Sequence, residues 1–156
     1  MLKKRIIPIQ LLIDNRLVKT IGFGSYRDVG NPVSSSKIYN DSDADELIFL
    51  NINREDRSID PMLKLIESVS EVCFMPLALG GGISSLDDAS RLIQNGADKI
   101  VLNSVAYKNI NLIEEIAYKF GNQAVVVSVD VRKDNPTDKY ILYSDKSYHG
   151  KLIGSG

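Results

Sequence analysis

The sequence predicts an α/β protein built on a parallel sheet. Short apolar runs alternate with helical patterns in units of roughly 30 residues, and the runs are apolar almost throughout, as strands covered by helices require. Two segments also match one another: Ala44-Asp45-Glu46-Leu47-Ile48-Phe49-Leu50-Asn51 and Ala97-Asp98-Lys99-Ile100-Val101-Leu102-Asn103 share an Ala-Asp start and a Leu-Asn finish. An internally repeated unit explains the match; chance similarity of two buried strands is the competing account. At 156 residues, one domain over 1–156 is expected.

In chain order, Arg5 to Ile13 reads as the first strand, and Asn15 to Thr20 as a hairpin arm returning from it. Gly22 to Tyr26 reads as loop. Asn31-Pro32 begins a helix running to about Tyr39, with asparagine as cap and proline at the first helical position. Glu46 to Ile52 is a second strand. Asp60-Pro61 repeats the cap-and-proline start, followed by Met62, Leu63, Ile66, Val69 and Val72 at helical spacing. Pro76 to Leu79 is a third strand, which runs into Gly80-Gly81-Gly82. Ser85 caps a helix carrying Leu86, Ala89, Leu92 and Ile93, which stops at Asn95-Gly96. Lys99 to Leu102 is a fourth strand, Asn109 to Phe120 a helix closed by Gly121, and Ala124 to Val129 a fifth strand. Beyond it come a turn at Asp134-Asn135-Pro136, a strand-like run Tyr140 to Tyr143, and Lys146 to Gly156 without periodicity, expected to be irregular or disordered.

Composition narrows the function. Hydrophobic residues make up 44% and charged residues 25%, with a formal net charge of −1, so nothing favours bulk electrostatic binding to nucleic acid or an anionic membrane. No apolar run approaches the roughly 18 residues that span a bilayer. Met1 to Ile9 has the basic start of a signal peptide, but Gln10, Asp14 and Arg16 interrupt it, and it reads as the first strand. Cys73 and His149 are the only residues of their kinds, which excludes a disulfide framework, a Cys/His zinc site and a Cys–His dyad. A reducing cytoplasmic setting is expected, with neither cofactor nor metal.

The stretch Leu77 to Ser85 is a phosphate cradle in outline. Consecutive glycines let backbone approach a ligand, and a following helix start points free N–H groups at it. A tight strand-to-helix turn without ligand is the plainer account.

Arg5-Ile6-Ile7-Pro8, Leu17-Val18-Lys19, Ala44-Asp45-Glu46-Leu47, Gly80-Gly81-Gly82-Ile83, Gly96-Ala97-Asp98-Lys99, Asn103-Ser104 and Val125 to Asp130 together resemble the cyclase subunit family of imidazole glycerol phosphate synthase. The resemblance covers nearly the whole chain to about Tyr143. It implies a (β/α)₈ TIM barrel, a lyase of histidine biosynthesis that takes ammonia from a glutamine amidotransferase partner through a channel. Such a barrel needs about 250 residues; the expectation is therefore a truncated barrel of about five βα units, inactive alone.

The resemblance also assigns roles. It makes Asp130 a catalytic acid/base, and Gly81, Gly82, Asn103, Ser104 and Lys19 the holders of a substrate phosphate. Arg5, Glu46 and Lys99 become a gate at the ammonia entrance, with Asp98 at the partner interface. Period 2 along a strand independently puts Arg5, Ile7, Ile9 and Leu11 on one face, with Glu46 and Lys99 placed in their strands as Arg5 is in the first. A solvated ion cluster closing the barrel floor is the plainer account of the three charges.

Two departures matter. Leu11 stands where the family has an aspartate at the end of the first strand, and Asn51 stands where it has one at the end of the second. The Pro8-to-Leu12 string, Leu17 to Thr20 and the Asn31-Pro32 region resemble the branch tied to sugar amidation in surface polysaccharide (O-antigen, lipopolysaccharide) synthesis. The expected function is ammonia delivery to a phosphorylated or nucleotide-linked sugar. Two alternatives stand beside it, the histidine cyclase proper and a non-catalytic barrel that docks and activates the amidotransferase. Open barrel edges further imply a homo-oligomer or an aggregation-prone fragment.

Overall fold

Each apolar run predicted as a core strand enters one sheet, because the helices between them cover the same face. The computed structural model describes residues 2–21 and 24–142, and the chain groups into two compact units, 1–126 and 127–156. The strands of the main sheet are β1 (Ile9–Ile13), β2 (Arg16–Thr20), β3 (Tyr26–Gly30), β4 (Leu47–Asn51), β5 (Leu77–Gly80), β6 (Lys99–Leu102) and β7 (Val125–Val127), all within the first unit but for Val127. Their order is β3-β2-β1-β4-β5-β6-β7. The pairs β1–β4, β4–β5 and β5–β6 are parallel. Helices α1 (Pro32–Asp41), α2 (Asp60–Ser70) and α3 (Leu86–Gln94) make the crossovers, and α4 (Ser104–Lys108) and α5 (Asn111–Phe120) follow β6. The α/β class holds, with alternating strand and helix units consistent with about five units of a TIM barrel.

Register sorts the side chains into two layers. Gln10, Phe49, Leu79 and Ile100 lie side by side across the sheet, and the next row is Leu11, Leu50, Gly80 and Val101. The face of Phe49 packs against the helices, where Leu12, Leu47, Leu79, Ile100 and Leu102 meet Met62, Ile66, Val69, Leu92, Leu112 and Ile116. The other face, that of a barrel interior, is only partly covered: Ile9 is 60% exposed, and Leu11, Ile48 and Leu50 are half-buried. Among the described residues, β1 is paired with β2 only at Leu12 and Ile13, so Ile9 to Leu11 have a strand neighbour on one side alone.

Local chemistry sets the helix limits. Asn31 Oδ1 accepts hydrogen bonds from the N–H groups of Val33 and Ser34, at 2.8 and 3.2 Å, with Pro32 beginning α1. Gly96 and Gly121 follow α3 and α5 with φ of 115° and 95°, which a side chain would resist. Some expectations are corrected. Asp60 is the first residue of α2 and makes no capping bond, with Ile59 in the cap position. Arg5 to Pro8 and Glu46 lead into their strands without belonging to them, and Ser128 and Val129 lie beyond β7. The strand β3 and the short helix α4 were not predicted. Tyr26 begins β3, where the sequence reads as loop.

The second unit contains the hairpin of β8 (Val131–Asp134) and β9 (Lys139–Leu142), antiparallel with Val131 opposite Leu142. The turn predicted at Asp134-Asn135-Pro136 joins them: the Thr137 hydroxyl bonds the Asp134 carboxylate, and Asp138 adopts φ of 56°. Gly22, Phe23, Tyr143 and the expected irregular tail Lys146–Gly156, with His149, lie outside the described residues. Among the described residues no helix is long and apolar enough to cross a membrane.

Phe49 has no solvent exposure and lies in the helix-packed layer. Phe49→Ala is expected to cost about 3–5 kcal/mol, read from the midpoint of urea unfolding.

Candidate functional site

Two ends of the sheet carry the residues singled out in the sequence. At the strand N-termini, Arg5, Glu46 and Lys99 come together. Glu46 is 2% exposed, and its Oε2 accepts from Arg5 Nη2 at 2.5 Å and from Lys99 Nζ at 2.7 Å. Burial strips water from the carboxylate, and two cations on one oxygen offset that loss. Removal of either cation leaves an ion pair; removal of Glu46 leaves two positive groups facing each other.

At the strand C-termini the residues differ in placement. Leu11 lies in the interior row beside Leu50, Gly80 and Val101, so the row in which the resemblance implies a carboxylate is apolar. Asn51 is buried and shares its row with Leu12, which puts it on the helix-packed side; its Oδ1 accepts the Asn53 N–H at 3.1 Å. Asn103 precedes α4, and Ser104 is its first residue, exposed.

The glycines are required by the protein itself. Gly81 and Gly82 adopt φ of 98° and 77°. A Cβ on Gly81 would lie 2.1 Å from the Asn51 carbonyl oxygen, and one on Gly82 would lie 2.5 Å from the Arg57 carbonyl and 2.6 Å from that of Ser58. The room left by the missing side chains is therefore filled by the end of β4 at Gly81 and by the loop between β4 and α2 at Gly82. The helix start after the glycines is also occupied. Ser85 Oγ accepts the Asp88 N–H, while one Asp88 oxygen accepts from the N–H groups of Ser84 and Ser85 and from the Ser84 hydroxyl. This capping box corrects the expectation of free N–H groups at α3. Burial pushes the Asp88 carboxyl up, yet the bonds from Ser84 and Ser85 together hold it below the ordinary range.

Lys19 is exposed on β2, opposite Arg27 of β3. The arm is well tied: Asp14 and Asn15 turn with φ of 50° and 58°, as a two-residue hairpin turn demands, and Arg16 Nε donates to Asp28 Oδ2 at 2.8 Å. The Arg16 guanidinium and the Gly30 N–H hold Asp28 below the usual carboxylate range. Asn53 Nδ2 donates to Asp14 Oδ1 at 2.8 Å and joins this turn to the loop after β4. Asp98 Oδ2 accepts the Leu77 N–H at 2.8 Å. Asp130 belongs to the second unit, half-buried between β7 and β8 in the chain. Asp14, Asp88 and Asn53 were missed in the sequence; Ser85 followed by Asp88 was a capping signal open to reading. Among the described residues no group of three or more His, Cys, Asp or Glu side chains could hold a metal ion.

Comparison with known proteins agrees with this architecture. The family profile described as "Histidine biosynthesis protein" matches residues 5–150. The chain belongs to this family. It is 45% identical over 144 residues to the imidazole glycerol phosphate synthase subunit HisF of Staphylococcus saprophyticus, covering 92% of this chain and 57% of that protein. It is 47% identical over 130 residues to the HisF subunit of Staphylococcus aureus strain Newman, covering 83% and 52%. The chain thus spans about half the length of these relatives.

Two outcomes follow from the glycine turn and the cap. Gly81→Ala should destabilise the fold by at least about 1–3 kcal/mol from backbone strain alone, seen in urea unfolding. For Asp88, whose carboxyl is depressed in the folded state, the stabilisation is full above the unfolded carboxyl range near ~3.9 and is lost as pH falls through the lower folded value. The stability gap between the parent protein and Asp88→Asn should therefore be widest near neutrality and close in acid, followed by unfolding midpoints at successive pH.

Proposed function

We propose that the chain is a barrel subunit that receives ammonia from a glutamine amidotransferase and passes it to a phosphorylated or nucleotide-linked sugar, in amidation of a surface polysaccharide. The observation that carries this reading is the buried Glu46 carboxylate shared by Arg5 and Lys99 at the strand N-termini. A buried carboxylate held by cations that themselves reach solvent fits a gate that opens by exchanging partners. Neutral ammonia can follow an apolar interior lined by residues such as Ile48, Leu50 and Val101. At the far end Gly81, Gly82, Asn103, Ser104 and Lys19 hold the substrate phosphate. Since the glycine clearance is filled and α3 is capped, the phosphate contacts come chiefly from the Asn103-Ser104 turn and Lys19. Asp130, in the second unit, is the acid/base that the family resemblance implies.

The names of the matched relatives support a second reading, cyclisation in histidine biosynthesis. Leu11 weighs against it, because a cyclisation using two carboxylates loses about 10²–10⁴ in rate when one is absent. Leu11 and Asn51 equally support a non-catalytic role in which the barrel docks and activates the amidotransferase. Asp98, at a strand N-terminus near the ring, would contact that partner.

The test is transfer of isotopic nitrogen from the glutamine amide to candidate nucleotide sugars and to the histidine-pathway substrate, with the amidotransferase present. Label on a sugar supports the proposal, and label only on the histidine-pathway substrate replaces it with the second reading. In the productive system Lys99→Ala should lower glutamine-dependent transfer while leaving transfer from ammonium salts in place. Ser104→Asp should abolish phosphate protection of the fold, read as the loss of a phosphate-dependent rise in melting temperature.

Self-association accompanies this reading. Ile9 exposed on the interior face and the one-sided pairing of Ile9 to Leu11 suit a second copy of the chain. Sedimentation at micromolar concentration should give a dimer or larger species, and a compact monomer would reject it.

A further inference from the structure

The Ala-Asp pairs that begin the two matching segments perform the same act. The Asp45 N–H donates to the Ile6 carbonyl at 3.0 Å, while Asp45 Oδ2 accepts the Ile6 N–H at 2.6 Å. The Asp98 N–H donates to the Leu77 carbonyl at 2.8 Å, while Asp98 Oδ2 accepts the Leu77 N–H at 2.8 Å. In each case one aspartate engages both backbone groups of one residue, Ile6 in the lead-in to β1 and Leu77 at the start of β5.

The neighbours of these clamps are the charged ring. Asp45 directly precedes Glu46, Asp98 directly precedes Lys99, and Ile6 directly follows Arg5. By register, Leu47 lies opposite Leu77, so the position of Asp45 in its strand corresponds to Met75 ahead of β5. Met75 offers no carboxylate there and β5 supplies no member of the ring, although its Leu77 is the residue that Asp98 grips. The two clamping aspartates thus each directly precede a charged side chain of the ring.

The need is geometric. Ile6 lies outside β1, beyond the regular ladder, and Asp45 and Asp98 themselves precede β4 and β6. A strand end without ladder bonds frays, and a shift of one residue turns a side chain from one face of the sheet to the other. For Glu46 that shift would bury a carboxylate among the helix-packed apolar side chains. We propose that Asp45 and Asp98 are positioning residues that fix the backbone on either side of the ring, so that Arg5 and Lys99 reach the same oxygen of Glu46. The proposal rests on the reading of that ring as a gate.

The experiment uses the full chain with labelled lysine, arginine and glutamate, and follows the Lys99 ammonium, the Arg5 guanidinium and the Glu46 carboxyl by NMR. In Asp98→Ala the Lys99 ammonium protons should exchange at least about tenfold faster, as expected when a charge-assisted bond is lost, while the Arg5–Glu46 contact persists. In Asp45→Ala the Arg5 and Glu46 signals should both move. Asp45→Asn and Asp98→Asn keep an acceptor oxygen at the same place and should restore the parent signals; a general structural role does not predict which member of the ring responds. Should Asp45→Ala fail to fold, Asp45→Glu, which carries the carboxylate one methylene too far, takes its place with the same expectation. Leu92→Ala, a core control, should lower stability with the ring signals unchanged. Unmoved ring signals in the aspartate variants, or equal loss in Leu92→Ala, overturn the proposal. The gate reading fails separately: ring signals that respond as described, with glutamine-dependent transfer unaffected by the same variants, uphold the positioning and reject the gate.

Discussion

A single carboxylate oxygen governs the floor of the sheet. Glu46 is almost without solvent, and the cost of burying it is offset by Arg5 and Lys99, which both donate to its Oε2. Those three residues come from the lead-ins to β1 and β4 and from the first residue of β6, so their meeting requires the parallel register across the intervening β5. The helix-packed layer that fixes this register, with Phe49, Leu79 and Ile100 in one row, therefore supports the polar ring as much as it supports the fold.

The two ends of the strands obey different physics. The N-terminal end gathers two partly exposed cations about one buried carboxylate. The C-terminal end is built from backbone: left-handed glycines against the carbonyls of Asn51, Arg57 and Ser58, a self-contained cap on α3, and the short turn at Asn103-Ser104. A chemical step at such an end depends less on any one charged side chain than on the positions of loops. Leu11 in place of an aspartate is tolerated by the fold because its row is already apolar, with Leu50 and Val101 alongside.

Much of this was legible in the sequence because local and long-range signals agreed. Asn31-Pro32, Ser85 and Gly121 mark helix ends by their own hydrogen bonding or backbone angles, and the apolar runs mark strands by burial. The strand β3 left no such mark. Tyr26, Arg27, Asp28 and Val29 are all exposed, so no apolar rhythm betrays them, and their strand geometry comes from pairing with β2 and from the Arg16–Asp28 contact. The five residues of α4 are too few for a helical period to show. Convergence of Arg5, Glu46 and Lys99 could be read from their matching offsets in three strands. The demand for glycine at 81 and 82 could not be assigned, because the crowding atoms belong to Asn51, Arg57 and Ser58, far earlier in the chain, and leave no trace near the glycines.

The paired ribbon that carries Lys19 has a consequence for how a charge is delivered. With a left-handed turn before it, a two-point guanidinium contact from its first residue to Asp28 and a tether from Asn53 to Asp14, β2 is tied along its length to β3. A lysine on a loose loop loses much of its freedom each time it meets an anion. In the proposed phosphate role the backbone of Lys19 is already held by its pairing with β3, and only the side chain remains to be ordered. The face on which Lys19 lies is then set by the register of β2 itself, and a one-residue slip of that strand would turn the ammonium to the opposite side of the sheet.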